Sequence, residues 1–211
     1  MLIAITYDTP FDFLVLNGFL AYIPIEIAFQ LPKLKNKWLL LGASAFWLLF
    51  FPNIPYLGTD IIHTDLYQLY DNATRVSQEN LLGWGQILLL AIVVVAFLSW
   101  GFTQMLLLAK FYQERFSLGK YFRPIFVVTI CILSALAMYA GRFAPRLHSI
   151  YFLTDPLRVL DIIFLTWSLK KIEFIGLFTL YQLVLVSCLL LNRKILQDQG
   201  YLANKSNKEE R

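Results

Sequence analysis

The chain has 211 residues, 58% of them hydrophobic, 16% aromatic and only 15% charged, with a mean hydropathy of +0.62. Soluble domains carry about 25% charged and about 45–50% apolar residues, so this composition excludes a disordered chain and points to a lipid bilayer. Two cysteines exclude a disulfide scaffold, and the net charge of +4 sits in loops that suit anionic lipid headgroups rather than nucleic acid.

A hydrocarbon core about 30 Å thick needs about 20 apolar residues in a helix, and five stretches qualify. The first span is expected over 13–31, interrupted by Asn17, Pro24 and Glu26. Glu26 is the one carboxylate inside a predicted span, readable as a proton or cation site or as a near-interface group reaching Lys33 or Lys35. The second span is expected over 38–57. It runs into Phe51-Pro-Asn-Ile-Pro-Tyr-Leu-Gly-Thr-Asp-Ile-Ile-His63, where Pro52 and Pro55 each remove a backbone donor and Gly58 adds a further break. Thr59 is then expected to cap a new helix from Asp60 to about Tyr70, with Asp60, His63 and Tyr67 on one side. A carboxylate and an imidazole three residues apart can share a metal or exchange a proton. Asp60 and His63 are therefore the candidate catalytic residues, and with His148 the weak metal candidates. The plainer reading makes Asp60 a helix-start residue and His63 an interfacial side chain.

Residues 81–109 hold no charge in 29 positions, about 43 Å of helix, so the third span is expected over 85–109 with its first residues at the boundary. The fourth is expected over 124–140. Gly141-Arg-Phe-Ala-Pro-Arg-Leu-His-Ser149 follows, then Thr154-Asp-Pro-Leu-Arg158. Arg142 is expected to grip a lipid phosphate, bind another anion bidentately, pair with Asp60 or Asp65, or snorkel at a helix end. Asp155 before Pro156 reads as an N-cap and first-turn pair. Residues 157–169 are too short to cross; Leu157, Leu160, Phe164 and Trp167 at helical spacing predict an interfacial helix. The fifth span is expected over 174–191. Residues 1–196 thus form a single transmembrane domain and 197–211 a polar tail. Cys131 and Cys188 read as small packing residues, and Gly42, Ser44, Ser134 and Ser187 suit close helix approach.

Five crossings put 12 of the 18 Lys and Arg residues on one side. These are Lys33, Lys35 and Lys37, then Lys110, Arg115, Lys120 and Arg123, then Arg193, Lys194, Lys205, Lys208 and Arg211. The N-terminus is therefore expected outside and the C-terminus in the cytoplasm, with the first span retained. The fold class is an all-α polytopic membrane helical bundle with about five transmembrane helices and short interfacial helices on the outer face.

The segment Phe51 to His63, written Phe-Pro-Asn-x-Pro-Tyr-x-x-Thr-Asp-x-x-His, resembles the signature of a bacterial family of uncharacterised integral membrane proteins. Gly141 to Phe143, Thr154 to Leu157, and Leu16-Asn-Gly-Phe-Leu-Ala-Tyr-Ile-Pro24 fit the same family. Family members carry Arg-x-Asn-Ser-Trp-Asp after Gly-Arg-Phe, whereas this chain reads Arg146-Leu-His-Ser-Ile-Tyr151, so that acid has no counterpart here. The resemblance implies a domain of unknown function and supplies no reaction.

No nucleotide-binding loop, HExxH helix, GxSxG elbow or CxxC pair occurs. The first functional expectation is an outward-facing polar pocket from Asn53, Tyr56, Thr59, Asp60, His63, Arg142, Arg146 and Asp155, binding a lipid headgroup or another anionic small molecule of the envelope. The alternatives are an envelope enzyme using the Asp60/His63 pair, a small transporter or its membrane subunit with Glu26 as coupling carboxylate, and a scaffold.

Overall fold

The computed structural model describes residues 12–60, 70–71, 76–77, 79–143 and 151–209. Its elements in chain order are α1 (Asp12–Gln30), a 3-10 turn (Leu31–Lys33), α2 (Lys37–Phe50), α3 (Asn53–Tyr56), β1 (Tyr70–Asp71), β2 (Val76–Ser77), α4 (Leu81–Arg115), α5 (Phe122–Arg142), α6 (Tyr151–Thr154), α7 (Pro156–Leu160), a π-turn (Asp161–Leu165) and α8 (Leu169–Glu209). The described residues form an all-α bundle, and the only pairing of strands among them is the two-residue β1–β2 ladder.

Five segments are long and apolar enough to cross a membrane: Leu14–Lys33, Lys37–Asp60, Leu81–Arg115, Phe122–Arg142 and Leu169–Gln199. Much of their apolar surface faces outward, and only 11% of the apolar window of the last is buried. Such large exposed apolar faces need lipid to cover them.

Local chemistry sets the helix ends. Asn36 caps α2 by accepting from the amides of Trp38 and Leu39, and Asn80 caps α4 through the amide of Gly83. The prolines after α2 break the regular ladder without turning the chain aside. Phe51, Pro52 and Leu57 all keep right-handed helical angles, and a 3-10 turn continues over 57–60. Pro24 lies inside α1, where its ring and missing donor are accommodated in the buried face.

Successive long helices alternate in direction. Ala21, Ile25, Trp47, Phe51, Phe102, Met105, Val127 and Cys131 form the buried centre shared by α1, α2, α4 and α5, while α8 packs chiefly on α5. Gly101 is the point of closest approach. A Cβ there would lie 2.5 Å from Ile54 Cδ1 and 2.7 Å from its Cγ2, so α4 meets the proline-broken segment only through glycine. Gly42, by contrast, has open space around it, and Ser187 and Cys188 are exposed. These three are not packing positions within the described residues. α8 also continues through the polar stretch after Gln197 to Glu209 as helix.

Candidate functional site

The start of α1, the end of the α2–α3 segment and the end of α5 meet at one end of the bundle. Asp60 is the last described residue of the 3-10 turn and is 1% exposed. A bare carboxylate there would be costly, and two neighbours answer it. Asn17 Nδ2 donates to Asp60 Oδ2 at 2.9 Å, and Arg142 Nη2 lies 3.7 Å from Oδ1. The same Nη2 donates to Thr59 Oγ1, whose own hydrogen goes to the Tyr56 carbonyl at 2.6 Å. The guanidinium carbon sits 4.5 Å from the centre of the Tyr56 ring. As the last residue of α5, Arg142 also lies where the helix dipole favours a cation.

A guanidinium has five N–H donors. Among the described residues only Nη2 of Arg142 has a polar partner, and Nε and Nη1 have none. With a fifth of its side chain exposed, Arg142 is held through Nη2 and is still within reach of water.

The remaining sequence candidates divide. Asn53 donates to the Phe50 carbonyl at 2.9 Å, a contact within the broken helix. Asp155 is exposed and accepts from the amide of Arg158 at 3.1 Å, the N-cap that the Asp-Pro pair predicts. Thr59 donates to the Tyr56 carbonyl and accepts from Arg142, and the helix it is expected to cap falls on 61–69, outside the described residues. Tyr70, the predicted end of the new helix, is extended and pairs with Ser77. His63, Asp65, Arg146 and His148 lie outside the described residues. Of the metal candidates only Asp60 is described, and a guanidinium beside it opposes a second cation. No group of three or more His, Cys, Asp or Glu among the described residues is placed to hold a metal.

Glu26 accepts from Tyr22 at 3.1 Å and from Gln30 at 2.5 Å, and Gln30 in turn accepts from Lys33 at 3.0 Å. It therefore does not reach Lys33 directly. It belongs to a polar ladder along one side of α1 and its end.

Three residues near this end carry no motif. Tyr181 of α8 packs its hydroxyl on Gly58, where a Cβ would lie 2.6 Å away. Gln182 is fully buried and donates to the carbonyls of Cys131 and Phe178, both at 3.1 Å, joining α8 to α5. Lys171 is 1% exposed, and its ammonium donates to the carbonyls of Ile162, Ile163 and Thr166, each at 2.9 Å, with Trp167 4.5 Å away. It thus closes the carboxyl end of the π-turn, where carbonyls lack partners of their own. Val159 and Ile162 are the buried face of α7 and the π-turn. Leu157, Leu160, Phe164 and Trp167, predicted as an apolar side, point outward.

No curated protein and no solved structure matches the chain. The model of the family described as "Protein of unknown function (DUF1361)" matches residues 16–185, a range that takes in Asn17, the proline-broken segment, Arg142 and Lys171, and the chain belongs to that family.

Proposed function

We propose that this integral membrane protein binds an anionic group, the phosphate of a lipid headgroup or of another envelope-related anion, on the outward-facing Arg142. The observation that carries this reading is the partial clamp. Asp60 and Thr59 occupy only Nη2 and Tyr56 lies beneath the plane, while Nε and Nη1 have no partner among the described residues. Those donors flank Nη2 and can hydrogen-bond the oxygens of a phosphate or carboxylate. The distribution of Lys and Arg supports placing this end outside a cell membrane and the C-terminus in the cytoplasm. Residues 1–196 act as one transmembrane unit in this reading.

The test is thermal unfolding of the detergent-purified chain with sn-glycerol 3-phosphate, glycerol serving as control. A ligand that binds only the folded state stabilises it by about 2.7 kcal/mol at a hundred times its Kd. The melting temperature is expected to rise with glycerol phosphate and stay flat with glycerol. Arg142→Lys keeps the charge but loses the fork, and should lose most of the rise. An unmodified protein that glycerol phosphate never shifts would sink the reading.

A further inference from the structure

At the opposite end of the bundle a cavity of about 520 Å³ opens between α2, α4 and α5. We propose that it holds one acyl chain of an anionic phospholipid from the leaflet that meets the lysine-rich loops. Its volume falls within the roughly 300–1,000 Å³ of small-molecule sites. Along α2 the lining runs from Lys37 to Leu48. That is about 16 Å of helix, roughly half of a hydrocarbon core about 30 Å thick. The groove is as long as one leaflet is deep.

Its walls admit an apolar occupant. Ser44 and Tyr112 are the only hydroxyls in the lining, and each is already used. Ser44 donates to the Leu40 carbonyl at 2.6 Å, so in the 2.6 Å contact between the two hydroxyls Tyr112 is the donor. Deeper in, Trp47 and Phe126 stack with ring centres 6.2 Å apart. The mouth has the reverse character. Lys37 is exposed at the first position of α2 and has no ion-pair partner among the described residues. Lys33 and Lys35 precede it with no acid between 31 and 37. Three lysines in five positions attract an anion, and lipid phosphate is the anion available at that depth. An apolar rod of leaflet length with an anionic end is the occupant that meets both conditions.

Native mass spectrometry of the full chain, titrated with dioleoylphosphatidylglycerol or dioleoylphosphatidylcholine, tests this. The first phosphatidylglycerol is expected to bind about fivefold more tightly than phosphatidylcholine, the effect of one basic residue at the surface. Lys37→Gln should remove that preference and leave phosphatidylcholine binding unchanged. Ala45→Phe fills the groove and should suppress the first bound lipid of both kinds. Ala45→Leu is the smaller filling, should the larger one prevent folding. Arg142→Lys should leave this site untouched, which separates it from the anion site above. Equal affinity for the two lipids overturns the proposal, as does undiminished binding in both Ala45 variants. So does a dimer that the Ala45 variants dissociate, because the occupant would then be a second copy of the chain.

Discussion

Replacing Asp60 by Asn is the most direct probe of the clamped arginine. The side chain keeps its volume, and its amide oxygen can still accept from Asn17, now 2.9 Å from the carboxylate. What disappears is the charge that faces Arg142. Removing one partner of a buried ion pair costs about 3–5 kcal/mol, chiefly because the other charge is left behind. Arg142 is a fifth exposed and can turn partly toward water, so the lower end, about 3 kcal/mol, applies. At about 2–4 °C per kcal/mol for a chain of this size, the midpoint should fall by about 6–12 °C. Arg142→Gln should cost more, since Asp60 at 1% exposure has no route to solvent. The combination Asp60→Asn with Arg142→Gln leaves two neutral amides and should be more stable than either single variant. The assay is tryptophan fluorescence during heating in detergent. Additive losses in the double variant would refute the pairing, because independent sites add and coupled ones do not.

Three further outcomes follow from the packing. Gly101→Ala should cost about 1–3 kcal/mol by overpacking against Ile54, and Ile54→Ala in the same chain should recover part of the loss, read from the same melting curves. Lys171→Met strands three carbonyls at the end of the π-turn, so amide hydrogen exchange over 156–168 should accelerate while α4 stays protected. Asp155→Ala removes a single exposed cap, worth about 1 kcal/mol; exchange should rise within α7 and the global midpoint should hold.

The spans were legible because their signal is additive. Eighteen or more apolar residues in succession outweigh any local preference, so α4 and α8 announce themselves in composition alone. The Arg142–Asp60 pairing was one of several partners the sequence offered for an arginine beyond a span end, and Asn17 was invisible as the third member. Its place beside Asp60 depends on how α1 packs on the α2–α3 segment, which no spacing within α1 encodes. The prolines do end the regular helix at Phe50, as their missing donors require, yet the chain keeps helical angles through 51–57, so its direction is held and the Thr59 hydroxyl points back to Tyr56. Lys171, one of the six basic residues outside that group of twelve, is a buried cap whose ammonium is held by three carbonyls.

That reassignment alters the charge argument itself. The rule that orients a membrane chain counts lysines and arginines free to meet the membrane surface. Lys171 is enclosed by carbonyls and aromatic rings, and Arg142 is fixed by Asp60 and Thr59. Lys171 therefore cannot meet a membrane surface as the exposed Lys33, Lys35 and Lys37 can. Removing it from the count strengthens the asymmetry on which the expected orientation rests. It also separates two kinds of positive charge in one small bundle. The lysines beside α2 are exposed point charges suited to a diffuse anionic leaflet, while Arg142 is held in one plane with Nη2 occupied. In the proposed reading a fixed planar guanidinium favours an anion by the arrangement of its oxygens, whereas the lysine end offers charge attraction alone.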